Sequence, residues 1–249
     1  MAGKVVVIGG GAAGLVAAGR AAELGAEVIL LEKNKMVGRK LLITGKGRCN
    51  VTNIGDINKF IANYSGNGQF LYSAFSRFFN KELQELLEEH GLTLKVERGG
   101  RLFPTTDKAA DVVSALKKYA LKHGTELRLN EKVLALGVEQ NKVTGVETAG
   151  GFIAATCVIV ATGGKSYPAT GSTGDGYLWA EKAGHTVITP RPALVPLNTK
   201  EAWVKEVQGL ALKNVEASLY GDGEFLSREF GEMLFTHFGV SGPIILTLS

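Results

Sequence analysis

KVVVIGGGAAGLVAAGRAAELGAEVILLEK, Lys4 to Lys33, decides the fold. Val5-Val6-Val7-Ile8 is apolar without alternation, the pattern of a strand buried on both faces of a parallel sheet. Gly9-Gly10-Gly11-Ala12-Ala13-Gly14 comes next with GxGxxG spacing. Leu15 to Leu24 reads as an alanine-rich helix ended by Gly25. Ala26 to Leu31 reads as a second strand, ending in Glu32-Lys33. Strand, glycines, helix, second strand and terminal acid in that order predict a dinucleotide-binding βαβ unit; a lone GxGxxG would not.

Each residue of the unit has a physical task. Gly9 permits the tight turn, Gly11 lets backbone approach a pyrophosphate, and Ala12 and Ala13 complete the loop. Gly14, with Ala17, Ala18 and Ala21, lets the helix sit close on the sheet. Free N–H groups and a partial positive charge at the helix N-terminus face the phosphates. Glu32, with Lys33 beside it, is placed to accept from both hydroxyls of a ribose and to repel a 2′-phosphate, which disfavours NADP in this site.

The bulk numbers agree with an α/β enzyme. The 249 residues suffice for one large domain or one and a half ordinary ones. Hydrophobic residues make up 45% of the chain, enough for a globular core, and its 33 glycines cluster in short runs after apolar strands. A net charge of +4 and a pI near 9.0 are only mildly basic, and no dense basic patch interleaved with aromatics appears, which argues against nucleic acid. Two cysteines, Cys49 and Cys157, without CxxC argue against a disulfide framework or a zinc site and for a cytoplasmic chain. The four histidines lack metal-ligand spacing. No apolar run approaches a membrane span.

The stretch beyond Glu32 separates a flavin from a nicotinamide dinucleotide. The chain enters GRKLLITGKGRCNVTN, Gly38 to Asn53, instead of continuing with regular alternation. Arg39, Lys40 and Arg48 are cations for phosphates or for an electron-rich reduced ring, while Gly45, Gly47, Cys49 and Asn50 offer loop backbone to the ring edge. Three strands with tight turns are expected over residues 132–155, and Val133 at their head joins the candidate contacts. A buried strand from Cys157 then ends in Ala161-Thr162-Gly163-Gly164. In two-dinucleotide-fold flavoproteins this meander and ATG element return the chain to FAD.

These motifs, with ATGGKSYPATGSTGDGY (Ala161 to Tyr177), PALVPL (Pro192 to Leu197) and MLFTHFGVSGP (Met233 to Pro243), resemble one large bacterial family of FAD-dependent oxidoreductases. That family includes aminoacetone oxidase and a bile-acid dehydro-steroid reductase. The resemblance covers essentially the whole chain. It implies an α/β two-dinucleotide-binding-type FAD (Rossmann-like) domain over residues 1–191, with a central parallel sheet and a β-meander. A β-rich substrate domain begins at 192 and is expected to be incomplete at 249, since family members continue beyond this point. It also implies that the Gly174-Asp175-Gly176 helix start lies near the cofactor. The implied activity is hydride transfer between flavin N5 and a small organic substrate, an amine or an activated ene or ketone, with NAD(P)H a candidate donor. Two alternatives stand beside it: a tRNA-linked flavoenzyme and a non-catalytic dinucleotide-binding fragment.

Protein side chains with chemistry of their own are few. Cys49 reads either as a thiol activated by Lys46 and Arg48 or as a small residue packed against the ring. His237 is the candidate catalytic residue, a general base or a donor to a substrate oxygen; its alternative role is to hold the turn after it. Tyr167 and Arg191 are expected to flank the cleft. Phe70 to Phe79 has helical apolar spacing and reads as core.

Overall fold

The computed structural model describes residues 3–64 and 66–249. Contacts divide the chain into two units, Met1–Val187 and Ile188–Ser249. In the first, β1 (Lys4–Ile8), α1 (Ala12–Glu23) and β2 (Glu27–Glu32) form the βαβ unit. The helix opens three residues earlier than its periodicity predicts, because Ala12 and Ala13 already take helical backbone directly behind Gly11. Gly9 has a left-handed φ of +104°, and a Cβ there would lie 2.6 Å from the Ala161 carbonyl oxygen. A Cβ on Gly14 would lie 1.8 Å from the Gly9 carbonyl oxygen, so the helix reaches its place only without a side chain there.

The chain continues through α2 (Arg39–Ile43), β3 (Thr52–Asn53) and α3 (Ile57–Ala62) to a 3₁₀ turn at Gly68–Leu71 and the single turn α4 (Tyr72–Phe75). The helix expected across 70–79 is thus broken. Extended Phe79 starts the next helix instead, its N–H held by the Glu82 carboxylate at 2.9 Å, the arrangement that begins α5 (Asn80–Glu89). Asn80 is the first residue of that helix, and its amide donates to the carbonyls of Asn53 and Gly55. Phe60, Phe75 and Phe79 pack edge to face or tilted, but Phe70, Ala74 and Phe78 are exposed, so the core reading fails for those residues. Next come β4 (Leu94–Glu97), β5 (Arg101–Pro104) and α6 (Ala109–Lys122). This last helix opens only after Asp107, which is left-handed and spends its carboxylate on Arg48 and Lys95.

Four parallel strands make the central sheet: β6 (Glu126–Leu129) beside β2, then β1, then the later β10 (Cys157–Val160). Between them in sequence, β7 (Val133–Glu139), β8 (Lys142–Thr148) and β9 (Gly151–Ala154) form the expected antiparallel meander. The unit closes with α7 (Asp175–Lys182). Alternation along the parallel strands sorts two cores. Val7, Val28 and Leu30 pack with α1 and α6, among Leu15, Val112 and Leu116. Val6, Ile8, Ile29 and Leu31 pack with Val133 and Val146 of the meander and Trp179 of α7. The fold class is α/β, a Rossmann-like domain with both sheet faces covered, as expected.

The second unit has one antiparallel sheet in the order β11 (Leu197–Asn198), β14 (Gly239–Ser241), β13 (Glu224–Phe235), β12 (Ala211–Gly221), and ends in α8 (Pro243–Leu248). It is β-rich, as the sequence suggests. Among the described residues no helix is long and apolar enough to cross a membrane.

Candidate functional site

A cavity of about 610 Å³ opens at the carboxyl ends of β1, β2 and β10, within the ~300–1,000 Å³ range of small-molecule and cofactor sites. That is the edge where open parallel sheets bind ligands. All its lining residues belong to the first unit. The glycine turn supplies Gly9, Gly11, Ala12 and Ala13. A Cβ on Gly11 would meet nothing within 4 Å, so backbone there faces open space. The N-terminus of α1 carries no side-chain cap. Its first-turn N–H groups are left for a ligand, and the helix field favours an anion among them.

Glu32 is buried at the end of β2 and lines the cavity. Its Oε2 accepts the Gly10 N–H at 2.7 Å, and its Oε1 accepts the Asn34 backbone N–H at 2.8 Å and the Asn34 amide at 2.6 Å. A carboxylate offers about four acceptor positions. Three are filled by the protein, so room for a ligand hydroxyl is about one, not the two expected from sequence. The same carboxylate shapes both turns it touches.

Asn34 passes the connection on, accepting from Arg39 Nη1 at 2.5 Å. Lys33 donates to Thr173 Oγ1 at 2.7 Å and to Asp175 Oδ2 at 2.9 Å, and Lys40 to Ser166 Oγ at 3.2 Å. Burial works against ionisation of Asp175, but its bonds with Lys33 and Thr173 outweigh that and hold its carboxyl below the usual carboxylate range. Of the residues expected at the cofactor, Lys33, Arg39, Lys40, Val133, Ala161, Thr162, Gly163 and Asp175 line the cavity. The lining holds four cations, Lys33, Arg39, Lys40 and Lys132, and three acids, Glu32, Glu131 and Asp175, one cation in excess.

Other expected contacts lie outside the lining. Gly14, Gly164 and Gly174 instead serve close packing. Gly45, Gly47, Arg48, Cys49 and Asn50 follow Thr44 in a turn of which Thr44 alone lines the cavity. Arg48 is not free for phosphates. It pairs with Glu97 and, at 2.7 Å, with Asp107, and stacks over Phe103 at 4.2 Å. Cys49 is only 1% exposed and belongs to the core, where burial pushes its thiol pKa up and Thr44 opposes only in part. An activated thiol is the opposite of what this environment makes.

His237 is exposed in the second unit, its ring edge-on to Phe238 at 4.9 Å. The adjoining turn is tied not by His237 but by Thr236, whose hydroxyl accepts the Gly239 N–H at 3.1 Å and donates to the Gly239 carbonyl at 3.0 Å. Tyr167 is 66% exposed with a left-handed φ of 53°. Several lining residues escape a reading of the sequence: Asn34, Glu131, Lys132, Ser172, Tyr177 and Trp179. Ser172 and Tyr177 lie within the Ala161–Tyr177 motif, which is the available signal. Asn34 carries a signal too, two residues beyond the buried acid.

A family model described as HI0933-like protein Rossmann domain matches residues 3–242. The chain belongs to this family. It is 36% identical over 250 residues to a ribosomal RNA dihydrouridine synthase of Haemophilus influenzae, covering 98% of this chain and 60% of that protein. It is 33% identical over 248 residues to the 3-dehydro-bile acid delta(4,6)-reductase of Clostridium scindens, covering 99% and 59%. The chain thus spans about three fifths of the length of these relatives. Among solved structures, the 3-ketosteroid-delta4-(5alpha)-dehydrogenase of Rhodococcus jostii RHA1 shares the fold, with a TM-score of 0.58 at 16% identity over 85% of this chain and 59% of that one.

Proposed function

We propose that the chain binds FAD in the 610 Å³ cavity and serves a reductase that saturates a carbon–carbon double bond conjugated to a carbonyl in a small organic substrate. The observation that carries the cofactor assignment is the convergence, in one cavity, of the uncapped α1 N-terminus, the open backbone at Gly11 and the buried Glu32 carboxylate. Pyrophosphate suits the first two, because free N–H groups and the helix field both favour an anion. Glu32 takes one ribose hydroxyl, and Arg39 and Lys40 add positive charge on the same side. When bound, FAD supplies the hydride. NAD(P)H is the proposed source of reducing equivalents, and His237 the proposed source of the proton that completes saturation.

The direction of reaction draws support from the two relatives. A delta-4 double bond beside a 3-oxo group and the ring double bond of uridine are both conjugated to a carbonyl, so the two names share one chemistry. An amine has no such conjugation. The same relatives favour a second reading, in which the acceptor is a uridine within ribosomal RNA. This weighs against the expectation that nucleic acid is not a partner.

One anaerobic experiment tests both. FAD-loaded protein is reduced with dithionite and then mixed with a 3-oxo-delta-4 steroid or with unmodified ribosomal RNA, and the visible flavin absorbance is monitored. Return of the oxidised spectrum with the enone supports the main reading; return with RNA alone supports the second. If neither reoxidises the flavin, and an amine reduces the oxidised protein instead, the reductase assignment is wrong.

A further inference from the structure

We infer that Lys33 and Asp175 form a latch that controls how fast the cofactor leaves the cavity, and that Lys33 acts on the cofactor through Asp175 rather than by touching it. The inference rests on the FAD assignment above. Two walls of the cavity are involved. One is the segment from Glu32 to Lys40, after β2; the other is the strap from Thr170 to Tyr177, which runs into α7. One side chain crosses between them: Lys33 Nζ reaches Thr173 Oγ1 at 2.7 Å and Asp175 Oδ2 at 2.9 Å. Lys40 Nζ reaches Ser166 Oγ, four residues before the strap, at 3.2 Å.

The walls also touch closely. A Cβ on Gly171 would lie 2.7 Å from Asn34 Nδ2 and 3.5 Å from Lys33 Cε, so the strap lies directly on the turn just past the ribose acid. Two glycines within the strap, Gly171 and Gly174, have φ of +112° and +84°, positions where backbone turns without the strain a side chain brings. Lys33 and Asp175 are 24% and 23% exposed at their side chains. At that depth a pair is less screened than a surface pair yet still reached by salt. A dinucleotide lying between the walls leaves only when they part. The Lys33–Asp175 pair is the charged contact that must break, and Lys33 has both of its hydrogen bonds on the strap, none on the cavity floor.

Release of FAD from the loaded full chain, monitored as the rise in flavin fluorescence after dilution, tests the latch. Lys33→Met and Asp175→Asn should each speed release about five- to tenfold, as expected for a partly buried pair. The double variant should be no faster than either single one, and the swap Lys33→Asp with Asp175→Lys should recover most of the loss. Release from the unaltered protein should quicken with added salt, a measurement that needs no variant to fold. The latch is overturned if Asp175→Asn leaves release unchanged or slows it while Lys33→Met speeds it, since Lys33 would then bind the cofactor itself. It is overturned equally if the two single effects multiply in the double variant, or if release ignores salt. Failure of the unaltered chain to take up FAD at all would instead remove the cofactor assignment, and the latch with it.

Discussion

At the scale of single residues, the site depends on carboxylate oxygens that are already spoken for. Glu32 accepts three N–H bonds from Gly10 and Asn34 while buried at 7% exposure. In Glu32→Gln one of those oxygens becomes an NH₂ group facing a donor. A buried donor then loses its partner, at about 1–3 kcal/mol. Both turns lining the cavity loosen, and the FAD dissociation constant should rise about tenfold or more, measured by flavin fluorescence quenching. An unchanged constant would mean the carboxylate shapes nothing the cofactor uses. Tyr119 offers a residue-scale prediction of a different kind. Its ring fills the space against Gly19, its hydroxyl donates to Glu23 at 3.2 Å, and burial, with help from Glu23, pushes its pKa up to about 12. The folded state holds this proton more tightly than the unfolded chain, whose tyrosines titrate near 10. The contribution is therefore whole below about pH 10 and is lost as pH rises toward 12. Tyr119→Phe should flatten the fall in melting temperature across that window relative to the unaltered chain.

Secondary elements show what a sequence displays and what it hides. The βαβ unit, the meander and the strand into Ala161 are legible because each depends on neighbours in sequence: apolar runs, glycines at fixed offsets, short turns. The Thr44–Asn50 turn is not, because its geometry depends on distant partners. Four of its residues, Gly45, Lys46, Gly47 and Cys49, are left-handed, and the direction of Arg48 is set by Glu97 and Asp107, about fifty and sixty positions away. A glycine-rich cationic loop looks the same in sequence whether its cations face a ligand or an acidic pair. The helix expected over 70–79 fails locally instead: it is already broken into the Gly68–Leu71 turn and Tyr72–Phe75, and Glu82 holds the Phe79 N–H where α5 begins. Arg48 makes the difference measurable. Glu97 and Asp107 hold its guanidinium pKa above the ordinary value, and it draws β4 and the Asp107 turn onto the loop. Arg48→Met should lower the melting temperature, with a smaller loss at high salt, and leave the FAD dissociation constant within about twofold. A large loss of FAD affinity at unchanged melting temperature would return Arg48 to the cofactor.

At the scale of the whole molecule, the two units differ in what they can sustain alone. Every lining residue, from Ile8 to Trp179, lies within Met1–Val187, and so do both buried clusters that fix the parallel sheet. A single core of that size buries most of the surface its unfolded chain exposes. The second unit is short of such a core: among the described residues its buried apolar side chains are Val204, Ile244 and Ile245, while Phe225, Leu226 and Phe230 are more than half exposed. Apolar burial is the main favourable term in folding, so the imbalance has a direct consequence. Residues 1–187 expressed alone should unfold cooperatively and bind FAD within about tenfold of the full chain, because the cavity lining and both buried clusters lie before position 187. Residues 188–249 alone should show no cooperative transition by circular dichroism, since three buried side chains do not offset the entropy of ordering such a segment. If instead the longer fragment folds yet takes up no FAD, the second unit must supply a contact that the cavity lining does not contain. The cofactor site would then be a property of the whole chain rather than of its Rossmann-like part.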